Sequence, residues 1–132
     1  MKRRIYTAGT GTREIEEFIA LLEGEGIEVA VDVRAFPTSR FPHFKREELS
    51  RHLEGRGIEY LYLGKELGGY RKGGYQAHME TEEFQRGIEE LQKVAKERRT
   101  VFFCAETLPW RCHRRFIAQR LKEEGWEVIH LI

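Results

Sequence analysis

Chemically reactive side chains are concentrated between residues 101 and 115 of the chain. This stretch combines a carboxylate, an imidazole, three arginines and both cysteines of the sequence, namely Cys104, Glu106, Arg111, Cys112, His113, Arg114 and Arg115. A thiolate is a strong nucleophile, a carboxylate or an imidazole transfers protons, and arginine binds anions through forked hydrogen bonds. The combination predicts a cysteine-dependent enzyme. In it Cys104 attacks an anionic, phosphate- or nucleotide-like substrate, Glu106 or His113 moves a proton, and Arg111 and Arg114 hold the negative charge.

The position of Cys104 favours it over Cys112 as the reactive sulfur. Residues 101–103 are apolar and aromatic and predict a buried strand, so Cys104 lies where that strand ends. Cys112 lies near the first turn of a helix that continues through residues 116–121. The unpaired N–H groups and the positive end of that helix, together with the nearby arginines, favour a thiolate. We therefore expect the pKa of the Cys104 thiol to lie below the usual value of about 8.5.

Other interpretations of the two cysteines stay open at this point. A lone Cys104 is more often a small core residue than a nucleophile. The charged share of 34% is carried mainly by Glu, Arg and Lys, a composition that resembles proteins from hot environments. Because such proteins contain intracellular disulfides, a Cys104–Cys112 disulfide is an alternative, either structural or as a thiol-redox pair. The spacing of the two cysteines is not that of a thioredoxin-type motif.

Metal, cofactor and phosphatase-type chemistry are not predicted. A phosphatase-type loop needs an arginine where this chain has Trp110, and Arg111 lies one residue too far. Cys104, Cys112 and His113 could supply three zinc ligands, whereas a structural zinc site uses four ligands and usually includes a close cysteine pair. The glycine turn at residues 9–11 lacks the further glycine of a dinucleotide fingerprint and the Gly-Lys pair of a phosphate-binding loop.

Length and charge limit the class of protein. The 132 residues are enough for one domain with a core of its own, spanning residues 1–132. No apolar run is long enough for a membrane span and no signal-peptide pattern is present, so we expect a cytoplasmic protein without a membrane partner. A net charge of +1 argues against bulk attraction to nucleic acid, although a local basic patch is compatible with it.

Hydrophobic periodicity predicts strands that alternate with helices along the whole chain. Strands are expected at residues 4–8, 28–33, 58–63, 101–103 and 128–131. Helices are expected between them, one starting at an N-cap Thr12 and another at an N-cap Thr81. This order predicts an α/β fold. It is a single-domain three-layer sandwich whose mainly parallel sheet of about five strands carries helices on both faces.

The carboxyl ends of parallel strands meet at one rim, where such folds bind their ligands. Asp32, the only aspartate of the chain, and Arg34 follow the second strand, so we expect Asp32 to orient a partner and Arg34 to bind the substrate anion. The alternative is that Asp32 caps the next loop or pairs with Arg34. Further substrate-binding residues are predicted in the loops after the second and third strands, at Ser39, Gly68, Gly69 and Tyr75. The glycine-rich segment after the third strand is either a lid over the ligand or a mobile flap.

A binding module is the alternative from a different functional class. In it the arginines would contact the phosphates of a nucleic acid or nucleotide, and Tyr70 or Tyr75 would stack on a base. A small anionic ligand is the partner expected for the enzyme, and nucleic acid the partner expected for the module.

The motifs resemble those of the domain of unknown function 488 family, and the resemblance covers nearly the whole chain. It rests on Tyr6, Thr7, Gly9, residues 32–34, Pro37, Ser39, Phe44, Gly57, Ile58, Tyr60, residues 67–69, residues 104–106 and residues 112–114. The resemblance implies an α/β fold with a site at these motifs, and it assigns no reaction. This family usually has a histidine where the chain has Thr10. If that histidine transfers protons in relatives, then His43, His78 or His113 would have to do so here.

Overall fold

The computed structural model describes residues 3–35, 45–69, 71–106 and 113–131. Apolar and aromatic runs form strands in every region where the sequence predicts one: β1 (Arg3–Gly9), β2 (Val29–Asp32), β3 (Glu59–Tyr62), β4 (Thr100–Cys104) and β5 (Trp126–Leu131). All four pairings between neighbouring strands are parallel, and the order across the sheet is β3-β2-β4-β1-β5. The strand that ends in Cys104 is therefore the central one.

Helices fill the connections between the strands. They are α1 (Ile15–Gly24), α2 (Arg46–Glu54), α3 (Gly64–Leu67), α4 (Tyr75–His78), α5 (Glu82–Glu97) and α6 (Arg114–Glu123). As predicted, Thr81 caps α5, because its hydroxyl accepts a hydrogen bond from the backbone N–H of Phe84. The prediction of Thr12 as the cap of α1 is wrong: Glu14 is the N-cap and bonds reciprocally with Glu17 in a capping box. No helix in the described ranges is both long and apolar enough to cross a membrane.

Two apolar clusters cover the two faces of the sheet and confirm the three-layer architecture. On one face, strand residues pack against α1 and α2; this cluster includes Ala8, Phe18, Leu22, Ala30, Leu49, Leu53 and Phe103. On the other face, strand residues pack against α5 and α6; this cluster includes Ile5, Val31, Ile88, Leu91, Phe102, Cys104, Ile117 and Leu121. Because side chains alternate along a strand, Phe103 and Cys104 belong to opposite layers.

A glycine in α5 permits its contact with α3. A Cβ atom at Gly87 would lie 2.7 Å from the Glu66 Cβ and 2.8 Å from two atoms of the buried Leu67 side chain. Such distances require the two helices to separate, so the segment after β3 is seated on α5 through this glycine.

We expect Gly87→Ala to lower the free energy of unfolding by about 1–3 kcal/mol, because overpacking outweighs the better helix propensity of alanine. The matched control is Gly24→Ala at the end of α1, where an added Cβ meets no atom within 4 Å. That control should leave stability unchanged or raise it by up to about 1 kcal/mol. Chemical denaturation of both variants measures the difference, and equal midpoints would contradict the tight α3–α5 contact.

Candidate active site

Cys104 ends the central strand and faces the layer of α5 and α6. Its residue is 2% exposed. The backbone at Cys104 and just after it is held by the turn that follows β1, since Thr10 N–H donates to the Cys104 carbonyl at 2.9 Å and Gly11 N–H to the Ala105 carbonyl at 2.8 Å. The glycine turn at residues 9–11, which the sequence favours as a simple turn, therefore holds the start of the loop after Cys104 beside the end of β1.

The guanidinium of Arg114 lies against the sulfur of Cys104. Its Nε–H donates to Sγ at 3.0 Å, its Nη1 to the hydroxyl of Thr7 at 2.8 Å and its Nη2 to the carbonyl of Glu106 at 2.6 Å. Arg114 is 1% exposed and is the first residue of α6. A cation at this distance favours the thiolate over the thiol, while burial opposes any charge. Arg114 thus joins α6, β1, β4 and the loop after Cys104.

His113 precedes Arg114 and is held at a neighbouring strand. Its Nε2 is 2.7 Å from the carbonyl oxygen of Val33. Because a carbonyl oxygen only accepts, Nε2 carries a hydrogen. On the other side of the imidazole, the loop after α3 passes close to His113. A Cβ atom added at Gly69 would lie 3.1 Å from the His113 Nδ1. The imidazole is thereby oriented by the end of β2 and by the loop after α3.

Asp32 and Arg34 form a buried ion pair at the end of β2. Nε and Nη2 of Arg34 each donate to one carboxylate oxygen at 2.8 Å, and the Arg34 backbone N–H adds a bond of 3.0 Å. Tyr60 on β3 donates its hydroxyl to the same carboxylate at 2.6 Å. Asp32 is 0% and Arg34 4% exposed. This is the paired arrangement that the sequence left as an alternative.

The ionisation of this network follows from its burial and charges. Burial lowers the pKa of Arg34, but the hydrogen bond and charge of Asp32 outweigh it and the pKa is raised. The pKa of Tyr60 is raised by burial and then by the negative charge of Asp32. The guanidinium of Arg34 and the neutral phenol of Tyr60 are therefore favoured at neutral pH, and both donate hydrogen bonds to Asp32.

The predicted rim residues share one edge of the sheet but divide between its faces. Asp32 is paired in register with Phe103, which faces α1 and α2, whereas Cys104 faces α5 and α6. The Arg34 guanidinium accordingly lies over the Phe103 ring, 5.7 Å from its centroid. Parallel strands bring Asp32 and Cys104 to the same edge, and side-chain alternation then points them to opposite layers.

The side chain of Tyr75 is packed into the protein. Its hydroxyl donates to the Leu67 carbonyl at 2.7 Å, and its ring stacks on Phe116 with centroids 5.5 Å apart. The ring of His113 lies 5.5 Å away on another side. Tyr75 thus packs against His113 and connects the segment after β3 to α6.

Of the other predicted residues, Gly68, Glu106 and His78 lie in the described part of the chain and five do not. Gly68 follows α3 and its backbone N–H donates to the carbonyl of Gly64. Glu106 is exposed, and its backbone carbonyl oxygen lies 3.7 Å from the sulfur of Cys104. His78 is 7% exposed, and its Nε2 lies 2.6 Å from the Glu66 carbonyl, so it serves as a structural tie. Outside the described residues lie Ser39, His43, Tyr70, Arg111 and Cys112, and with Cys112 the disulfide alternative.

Two residues of this region were named only as carriers of the family resemblance, and no role in the site was predicted for them. Thr7 and Tyr60 stand in strands, where threonine and tyrosine are common for packing reasons alone. A signal for Thr7 was available, because it is a hydroxyl within the otherwise apolar run from Ile5 to Ala8. Within the described ranges, no group of three or more His, Cys, Asp or Glu side chains could hold a metal ion.

Tyr60→Phe should destabilise the protein more than Tyr62→Phe. Tyr60 donates to a buried carboxylate, whereas the Tyr62 hydroxyl contacts backbone carbonyls of Arg34 and Ala35. Bonds to charged groups contribute about 1.5–3 kcal/mol and neutral ones about 0.5–1.5 kcal/mol. Urea denaturation at pH 7 measures both changes, and an equal or reversed order would contradict a structural role for the Asp32 network.

The raised pKa of Tyr60 adds an alkaline signature to the same pair of variants. An acid whose pKa is raised by folding stabilises the fold below its unfolded value and loses that contribution as pH rises. Wild-type stability should therefore fall above the ordinary tyrosine pKa of 10.0, and less steeply in Tyr60→Phe.

The comparison with protein-family models supports the family resemblance. A family model described as "Domain of unknown function DUF488" matches residues 14–121, a range that contains Asp32, Arg34, Cys104 and Arg114. No curated protein and no solved structure matches the chain. Because the matched range covers well over half of its length, the chain belongs to the DUF488 family.

Proposed function

We propose that this protein is a cysteine-dependent enzyme in which the Cys104 thiolate attacks an electrophilic centre of a small anionic substrate at the carboxyl rim of the sheet. The observation that carries the proposal is the 3.0 Å contact between the Nε of Arg114 and the sulfur of Cys104. The substrate class is a phosphate- or nucleotide-like molecule.

The energetics of burial support a charged sulfur. Moving a guanidinium out of water is costly unless its donors find partners, preferably negative ones. A cysteine that only fills space needs apolar neighbours, and here one of the most buried side chains of the chain directs an N–H at it. In the low dielectric of the interior, a thiolate and a guanidinium in contact stabilise one another far more than they would in water.

The geometry suggests how negative charge moves during the reaction. As sulfur bonds to a phosphoryl or carbonyl centre of the substrate, its electron pair enters the new bond and negative charge develops on substrate oxygen. The bond from that centre to the leaving group then breaks, and the leaving group takes the electron pair of that bond. Water afterwards attacks the same centre, and the electron pair of the broken bond returns to the sulfur. Arg114 neutralises the sulfur before attack and is in place to neutralise that oxygen afterwards. The leaving group needs a proton, for which Glu106 and His113 on the loops flanking the sulfur are the candidates.

The roles first expected of the two arginines change under this proposal. The fork of Arg34 is engaged with Asp32, so this pair shapes the rim on the opposite face of the sheet from the sulfur. Arg114 acts as the charge partner of the nucleophile rather than as a separate anion site. Because Cys104 is 2% exposed, a substrate reaches its sulfur only after neighbouring residues at the carboxyl ends of the strands have moved.

The nucleophile is tested by alkylation rate against pH for wild type, Cys104→Ser and Cys112→Ser. We expect a component that titrates below the ordinary thiol pKa of about 8.5, survives in Cys112→Ser and vanishes in Cys104→Ser. The cause is the adjacent guanidinium, which favours the thiolate. A midpoint for Cys104 at or above the ordinary value would overturn the proposal. So would two thiols that react only after reduction, since that result establishes the disulfide.

Anion binding is tested by thermal shift with inorganic phosphate and with mononucleotides. Ligands that bind the native state raise Tm. We expect a larger rise in Cys104→Ser than in wild type, because that variant removes a negative charge from beside Arg114. Alanine at Arg114 is the control and should abolish the rise. An equal or smaller rise in Cys104→Ser would contradict the shared use of Arg114 by thiolate and substrate.

A further inference from the structure

Thr7 occupies an unusual place for a hydroxyl. It is 0% exposed, lies in β1 between apolar residues and faces the same layer as Cys104. Its Oγ1 donates to the carbonyl of Phe102 at 2.9 Å and accepts from Arg114 Nη1 at 2.8 Å. A hydroxyl has one hydrogen and two lone pairs. Because the hydrogen is committed to Phe102, a lone pair necessarily faces Arg114.

The strand pairing fixes this hydroxyl in space. Thr7 and Phe102 are opposite one another in the β1–β4 ladder, so the register that brings Cys104 level with Gly9 also sets the Thr7–Phe102 bond. The branched side chain of threonine has restricted χ1 freedom in a strand. The acceptor offered to Arg114 therefore has a single direction.

The guanidinium of Arg114 is planar, so anchoring its ends determines where Nε–H points. Nη1 is held by Thr7, and Nη2 is held by the Glu106 carbonyl at 2.6 Å. With these two contacts in place, Nε–H is directed at the sulfur at 3.0 Å. Without the Thr7 contact, one end of the plane has lost its anchor within β1.

We propose that Thr7 is a positioning residue for the nucleophile, which it serves by orienting the Arg114 guanidinium so that Nε–H stays on the Cys104 sulfur. The inference rests on the proposed function of Cys104 and extends the site to β1. Thr7 itself touches neither the sulfur nor, in this scheme, the substrate.

The other titratable groups beside the cluster leave the test clear. His130 is opposite Thr7 in the β1–β5 ladder, and its pKa is lowered by burial and by the charges of Lys122 and Arg114. The charged form of His130 is thus disfavoured beside the cluster.

The experiment measures iodoacetamide alkylation of Cys104 against pH in a Cys112→Ser background. Thr7→Val keeps the side-chain shape and removes the hydroxyl, while Thr7→Ser keeps the hydroxyl. We expect Thr7→Val to raise the midpoint by about one pH unit, which means about tenfold less thiolate at pH values well below both midpoints. Thr7→Ser should restore the wild-type midpoint.

Thr100→Val is the matched control. Thr100 is also 0% exposed in a strand, and its hydroxyl donates to the Arg98 carbonyl at 2.9 Å, at the opposite end of β4 from the sulfur. This variant should lose stability and leave the alkylation midpoint unchanged. Circular dichroism confirms that each variant is folded under the assay conditions. If Thr7→Val does not fold, Thr7→Ser against Thr7→Ala makes the same comparison in smaller side chains.

The outcomes distinguish the positioning role of Thr7 from the proposed role of Cys104 as the nucleophile. Both proposals are supported if the alkylation midpoint of Cys104 is lowered in the Cys112→Ser parent and Thr7→Val raises it. A lowered midpoint that is unchanged in folded Thr7→Val, or in Thr7→Ala, overturns the role of Thr7 and leaves the nucleophile intact. An ordinary midpoint in the parent itself overturns the proposed function, and the Thr7 role with it.

Discussion

One buried guanidinium connects the parts of this structure that matter for chemistry. Arg114 starts α6, yet its side chain donates hydrogen bonds to β1, to β4 and to the loop beyond β4. Removing one partner of such a buried charged group typically costs about 3–5 kcal/mol. The position of α6 on the sheet, the conformation of the loop after Cys104 and the charge state of the sulfur therefore depend on the same side chain.

The two ionic networks of the rim serve different ends because they face different layers. Asp32 is satisfied by Arg34 and Tyr60, an arrangement that joins the end of β2 to the edge strand β3. The Arg114 cluster instead ends on a sulfur. Since strand residues alternate between faces, an offset of one residue between the ends of β2 and β4 is enough to place the Asp32–Arg34 ion pair and the Arg114–Cys104 contact on opposite faces of the sheet.

The sequence is informative about this fold where a single pattern decides the outcome. Alternating strands and helices predict a parallel sheet, and the parallel sheet predicts that Asp32 and Cys104 reach one edge. The partners of each side chain depend on strand order. Thr7 meets Arg114 because β4 lies next to β1, and Tyr60 meets Asp32 because β3 lies next to β2. Hydrophobic periodicity does not reveal the strand order, so it does not show which partners Arg34 and Arg114 acquire.

The strand order also has a consequence for how the protein is made. β1 and β2 lie on either side of β4, so the sheet cannot close until residues 100–104 have left the ribosome. Pairings this distant in sequence are slow to form, and apolar edges stay exposed in the meantime. During synthesis the sulfur of Cys104 is open to oxidants, whereas in the finished protein the residue is 2% exposed. An oxidised sulfur would bring extra oxygen atoms into the strand that joins β1 to β2, so the folding of the new chain depends on keeping the Cys104 thiol reduced until β4 is in place.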